Sequence, residues 1–275
     1  MLRAFCDLAN RQVHYRHGGS GGIPLLLLHP SPGSARQFEA LGNALSATRH
    51  VIAPDRPGNG DSPALPLPAP EIADYAAADL AFLDALGISE FDVYGMHTGA
   101  WVAAELAIRA PARVRRVILD GFGMFSPDEV ARYLALYAPP VSPDPDGSYL
   151  QWAFGFIRAQ SLYFPWFDTR PENARLVELP SAAALHDSVL ELLKSIRTYH
   201  LGYHAAFRYD AAARLPLVGQ PTLAISADDD PLYGHLEAAL RLLPNAVTQP
   251  VGSLRAPRRA ADLARVIDTF LAPAD

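Results

Sequence analysis

The chain is poor in cysteine: Cys6 is the only one in 275 residues. One thiol cannot close an internal disulfide, so disulfide-stapled secreted scaffolds are excluded. No apolar signal segment stands behind the N-terminus, and a reducing, cytoplasmic compartment is the expectation. Cys6 falls in a strand-like stretch, where a small buried side chain is its simplest role. Long hydrophobic runs are also missing. Runs such as Ile23 to Leu28 are far short of the ~20 residues that span a bilayer. Charges of both signs are interspersed and net to −6. Without a basic stripe or polybasic arm, neither nucleic acid nor an anionic membrane is an expected partner. Repeats and low-complexity tracts are absent. No G-x-G-x-x-G follows the first buried strand, so no dinucleotide cofactor is expected. What the chain has in quantity is apolar surface. Half of its residues are hydrophobic, enough for one large α/β domain or a core with an inserted lid.

Hydrophobic periodicity divides the chain into three stretches. The first opens with a hairpin, Leu2 to Asp7 and Gln12 to His17, joined at Ala9-Asn10. Leu25 to Leu28 reads as a parallel strand buried on both faces. A helix over Ser34 to Ala47, a strand over His50 to Ala53 and a helix over Ile72 to Leu86 follow, the last stopped by Gly87. Next come a strand at Phe91 to Tyr94, a helix to Arg109 and a strand at Val114 to Leu119. This alternation predicts a parallel sheet wrapped on both sides. From Phe122 to about Ala212 the pattern is helical only. Ser126-Pro127-Asp128-Glu129 is a capping box with proline at the first helical position. Tyr149 to Gln160 and Ser181 to about Tyr203 read as further helices. The third stretch resumes the alternation at Thr222 to Ser226, Leu236 to Leu243 and Ala246 to Val251. Ala261 to Leu271 closes the chain as an amphipathic helix.

Gly95-Met96-His97-Thr98-Gly99 lies between the Phe91 strand and the alanine-rich helix that begins near Trp101. That is the strand–turn–helix setting of the G-x-S-x-G elbow, with histidine in the central slot. Leu28-His29-Pro30-Ser31-Pro32-Gly33 is similar to an H-G-x-P-G oxyanion loop, with proline for the first glycine. Asp55-Arg56-Pro57-Gly58-Asn59-Gly60-Asp61-Ser62 is similar to a D-x-P-G-x-G-x-S loop. Taken in order, these segments resemble the α/β-hydrolase superfamily over nearly the whole chain. The resemblance implies an α/β-hydrolase fold with a mostly parallel sheet flanked by helices. It assigns residues 1–121 and 213–275 to the core and 122–212 to an inserted helical cap. It also places the triad acid at Asp230.

Two departures from that pattern shape the chemistry. The elbow serine is His97, and no histidine follows His235, so the usual triad base is missing too. An elbow holds its central residue in a strained conformation over a helix N-terminus, so position 97 faces the pocket. Several roles stay open at this stage. His97 can be a filler in a protein kept for binding. It can be a base oriented by Asp230, with Ser253 as nucleophile or water-holding hydroxyl. It can be a general acid or base without a covalent step, its oxyanion donors being the backbone N–H groups of Thr98 and of Ser31 or its neighbour. This third arrangement needs the fewest assumptions; direct nucleophilic attack by His97 ranks below it.

Other residues carry bland readings beside the functional ones. Ser34 is an N-cap, and Ser253 is a turn serine after glycine. His29 brackets the oxyanion loop, where hydrogen bonding to loop carbonyls is its usual use. Asp228 and Asp229 crowd Asp230, and Asp120 is a reserve acid at the same sheet edge. His235 follows Asp230 and reads as a surface position. His200 and His204 have helical zinc spacing but no third ligand, so no metal is expected. More than half of the aromatic residues fall between Phe122 and Ala212. Trp152 and Tyr203 are the candidates there for lining an apolar pocket, and Arg158, Arg197 and Arg208 for receiving a carboxylate. The expected partner is a small-molecule substrate or ligand, and a homo-oligomer is compatible with the sequence. Two functions compete: an acid/base enzyme acting on a small apolar carbonyl compound by hydrolysis or a lyase step, and a catalytically silent binding protein.

Overall fold

The computed structural model describes residues 1–272. The hairpin forms as expected, β1 (Leu2–Leu8) against β2 (Arg11–Gly18). The apolar runs become β3 (Leu25–Leu28), β4 (Val51–Pro54), β5 (Phe91–Met96), β6 (Val114–Asp120) and β7 (Thr222–Ile225). The last strand, β8, shrinks to Ala246–Val247. These eight strands make one sheet in the order β1-β2-β4-β3-β5-β6-β7-β8. Pairing is antiparallel at β1–β2 and β2–β4 and parallel from there on. Every residue of β3, β4 and β7 is buried, as strands covered on both faces must be.

Helices supply the covers. On one face, α2 (Ile72–Ala85) and α3 (Thr98–Arg109) bring Phe82, Leu83, Trp101, Val102 and Leu106 against the sheet. On the other, α1 (Glu39–Leu45) and a C-terminal helix, Arg259–Leu271, bring Leu41, Leu45, Ile267 and Leu271. This is the parallel sheet wrapped on both sides that the alternation predicts, in the α/β-hydrolase arrangement that the resemblance implies. The helix expected over Ser34 to Ala47 is tighter at its start, a 3-10 turn at Ala35–Phe38 capped by Ser34. Asp55 Oδ1 accepts from Ala35 N–H at 2.8 Å and holds that end in place.

Between β6 and β7 the chain runs through α4 (Pro127–Leu136), α5 (Ser148–Leu162), α6 (Ala182–Lys194), α7 (Tyr199–Arg208) and the short α8 (Ala211–Arg214). Their aromatic side chains form a third cluster around Tyr133, Tyr137, Phe156, Tyr199 and Phe207. The single helix expected from Ser181 to Tyr203 is two helices. Ser195 Oγ donates back to the carbonyls of Glu191 and Leu192, and Thr198 Oγ1 donates to Gly58 O at 2.6 Å. A tertiary bond to the core loop overrides the local periodicity at that join. The remaining helices are α9 (Leu236–Leu242) and α10, the C-terminal helix given above. Among the described residues no helix is long and apolar enough to cross a membrane.

Strand register places the site. Met96 lies opposite Asp120, and Asp120 opposite Ile225. The C-terminal ends of β5, β6 and β7 are therefore level. His97, Gly121 and the loop after Ile225 meet at one sheet edge, the usual ligand side of an open α/β sheet.

Candidate active site

His97 has φ 46° and ψ −120° and is the only described non-glycine residue with positive φ. The flanking glycines make this bend possible. A Cβ on Gly95 would lie 2.1 Å from Gly99 O, and one on Gly99 would lie 1.9 Å from Leu28 O. Strand, turn and helix approach too closely for any side chain at either position. The elbow frame is thus complete and independent of what occupies its centre.

His97 Nε2 and Asp230 Oδ2 are 2.7 Å apart. Asp230 is fully buried at its side chain, while that of His97 is 25% exposed. Leu232 N–H donates to Asp230 Oδ1 at 2.7 Å, which fixes the carboxylate plane. A carboxylate only accepts, so Nε2 carries the hydrogen and Nδ1 is left as the free ring nitrogen. Burial alone would pull the imidazole down. The charge of Asp230 and the hydrogen bond to it outweigh burial and hold His97 above its ordinary 6.5. Burial pushes Asp230 up, but His97 and the Leu232 amide hold it below its ordinary 3.8.

Gly121 (φ 70°) sits directly under this pair. A Cβ there would lie 2.5 Å from His97 Cδ2, 2.8 Å from Nε2 and 3.1 Å from Asp230 Oδ2. The Cδ2–Nε2 edge of the ring therefore rests on Gly121, and Nδ1 lies on the opposite edge. Gly121→Ala is expected to separate the pair and to add left-handed strain, destabilising the protein by about 1–3 kcal/mol. Chemical denaturation checks the stability, and the loss of the raised His97 titration by NMR checks the separation.

A cavity of about 190 Å³ opens beside His97, the scale of an engineered cavity of ~150 Å³ that takes up benzene. Trp101, Phe125, Tyr137, Phe164, Tyr203 and Phe207 supply its aromatic wall, with Ser31, Thr98, Gln160 and Arg175 among its polar part. Thr98 is the first residue of α3, so its N–H has no partner within the helix. The Ser31 N–H meets no acceptor among the described residues. Arg175 is anchored by donating to Gln160 O at 3.1 Å and Asp229 O at 2.9 Å. Gln160 Nε2 donates to Tyr203 Oη at 2.9 Å.

Other sequence candidates lie elsewhere. Ser253 Oγ donates to Asp229 Oδ2 at 2.6 Å, and Leu254 N–H donates to Asp229 Oδ1. Asp229 thus closes the loop after β8, and Ser253 is not part of the cavity wall. His29 is fully buried; its Nδ1 meets Pro30 O at 2.8 Å and its Nε2 accepts from Arg56 N–H at 3.0 Å. Both nitrogens are occupied, and burial pulls the ring down to about 3, so it braces the loop as a neutral tautomer. Trp152 is also off the cavity wall. It stacks on Phe156 at 4.9 Å and packs near Tyr199, within the helical insertion. Asp120 accepts from Tyr94 Oη at 2.6 Å and Arg259 Nη2 at 3.0 Å. Arg158, Arg197 and Arg208 are exposed, and Arg208 pairs with Glu71. His235 Nδ1 lies 2.7 Å from Met124 O. His200 and His204 face each other on α7, both pulled down by burial.

Arg175, Gln160 and Gly121 were not singled out by sequence reasoning. Arg175 comes from an irregular segment without periodicity, which carried no usable signal. Gly121 had one: it directly follows an aspartate at the end of a strand.

The chain belongs to the α/β-hydrolase fold family, whose model matches residues 23–252. It is 38% identical over 117 residues to a 2-hydroxymuconate semialdehyde hydrolase of Pseudomonas putida, covering 38% of each chain. It is 29% identical over 144 residues to a 2-hydroxy-6-oxo-6-phenylhexa-2,4-dienoate hydrolase of Burkholderia cepacia, covering 48% of this chain and 50% of that one. These matches span half or less of the relatives' own length. A solved structure of a hydrolase from Pseudomonas aeruginosa PA01 superposes with a TM-score of 0.75 at 21% identity, covering 98% of both chains.

Proposed function

We propose that this chain is an enzyme in which His97, oriented by Asp230, acts as general base and then general acid on a small, largely apolar carbonyl compound bearing a carboxylate. The observation that carries the reading is the direction of the pair: Nε2 is bound to Asp230, Nδ1 has no partner among the described residues, and His97 lines the cavity. Water bound at Nδ1 would attack the substrate carbonyl as its proton passes to Nδ1. Negative charge developing on the carbonyl oxygen would meet the Thr98 and Ser31 N–H groups at the start of α3 and the oxyanion loop. Asp230 would stabilise the imidazolium until its proton passes to the leaving group. In this reading residues 122–212 serve as the cap that closes the apolar cavity over residues 1–121 and 213–275.

Arg175 supports the carboxylate. It is the one arginine or lysine among the described cavity-lining residues, and the two relatives are named for small oxo acids. In Arg175→Leu, binding of benzoate is expected to weaken about 30-fold while that of benzamide changes little. Isothermal titration with the two ligands checks it. The central claim is tested by turnover of short acyl esters that disappears in His97→Ala while the fold persists.

One observation favours a second reading, a silent binding protein: the central position of the elbow holds neither hydroxyl nor thiol. A parent without turnover, together with an undisturbed ligand-induced thermal shift in His97→Ala, would decide for it.

A further inference from the structure

The Arg56 side chain is fully buried and makes a single hydrogen bond, from Nη2 to Ser31 Oγ at 3.0 Å. Its Nε and Nη1 have no partner among the described residues. Burial pulls the guanidinium down only to about 10, so it is charged at neutral pH. A guanidinium can only donate, hence Ser31 Oγ must accept from it, and the hydroxyl hydrogen is aimed elsewhere. No acceptor takes that hydrogen among the described residues, and Ser31 lines the cavity beside His97 and Thr98. Above it, α7 approaches through Gly202, where a Cβ would lie 2.8 Å from Ser31 Oγ. The hydroxyl is thus fixed from two sides, and its open side is the cavity.

We infer that the Ser31 hydroxyl is a hydrogen-bond donor to a substrate oxyanion and that Arg56 is the positioning residue that commits it to donating. The charge-assisted bond to Arg56 also makes the hydroxyl a stronger donor. This deepens the acid/base reading of the same site and rests on it for any statement about turnover.

The test uses 4-nitrophenyl acetate as substrate and 4-nitrophenol as an oxyanion probe. Ser31→Ala is expected to lower kcat about 100-fold with KM within about threefold, the effect of losing one oxyanion donor. Ser31→Thr should recover most of it. Arg56→Met should lower kcat in the parent background and add nothing in the Ser31→Ala background, because it acts through that hydroxyl. Should Arg56→Met fail to fold, the two Ser31 variants carry the test. If Ser31→Ala keeps the parental kcat while His97→Ala is inactive, the acid/base reading stands and this inference falls. If the parent turns over nothing, the acid/base reading fails and the probe decides. Bound 4-nitrophenol that ionises at lower pH in the parent than in Ser31→Ala supports the donor. Equal ionisation in both, or no binding to the parent, overturns it.

Discussion

Replacing His97 by alanine is expected to lower turnover of short acyl esters by about 10³-fold, the middle of the range for removing a general acid–base group. The parental rate should fall as pH drops through a value above 6.5, because the Asp230 charge raises the imidazole and only neutral Nδ1 accepts a proton. In His97→Ala that limb should vanish with the rate. Stability separates two effects at this position. The alanine variant leaves the buried Asp230 carboxylate without its partner, a loss of about 3–5 kcal/mol, and it keeps the positive φ. His97→Gly loses the same partner but relieves the backbone, so it should be about 1 kcal/mol more stable than His97→Ala. Turnover in both variants and chemical denaturation of both give the comparison. A glycine variant no more stable than the alanine one would mean that the elbow is unstrained.

The second large effect belongs to Asp230→Asn. An amide can turn to donate to Nε2, which would move the ring hydrogen to Nδ1 and remove the base from the cavity side. Turnover is expected to fall by about 10²–10³-fold. Without the carboxylate, burial is the main influence left on His97, so any residual activity should show its acidic limb at lower pH than the parent. The stability profile has a defined sign. His97, raised, contributes fully below 6.5 and loses its contribution as pH rises through its folded value. Asp230, lowered, contributes above 3.8 and loses its contribution as pH falls through its folded value. The pair therefore stabilises the fold most near pH 5 and less on either side, in acid as Asp230 protonates and in alkali as His97 loses its charge. Denaturation at pH 5 and pH 9 should show a larger gap between parent and variant at pH 5, by about 2 kcal/mol. An equal gap at both values would mean that the pair does not exist as an ion pair in solution.

Local pattern was enough for the architecture. The buried run at Leu25 to Leu28, the strand–helix alternation and the two glycines around His97 encode a parallel sheet and a sharp elbow through steric and hydrophobic terms that act over a few residues. The loop bearing Asp230 was pointed to by the family resemblance, and Asp230 does meet His97. Side-chain commitments were not legible. Whether the Ser253 hydroxyl faces His97 or Asp229 depends on how two loops settle against each other, as does the packing of Trp152 against Phe156 and Tyr199. Helix periodicity ran on through Ser195 because the Thr198 bond to Gly58 O comes from a loop far away in sequence.

By itself, then, the order of residues determined the sheet, the elbow and the identity of the group at its centre. Only the tertiary structure decided that the ring meets Asp230 through Nε2 rather than Nδ1. It likewise put Arg175 on the cavity wall and the Arg56 guanidinium against Ser31 Oγ. The reason is one of range: backbone form follows from neighbours in the chain, whereas hydrogen-bond direction and buried charge follow from groups that folding alone brings within 3 Å.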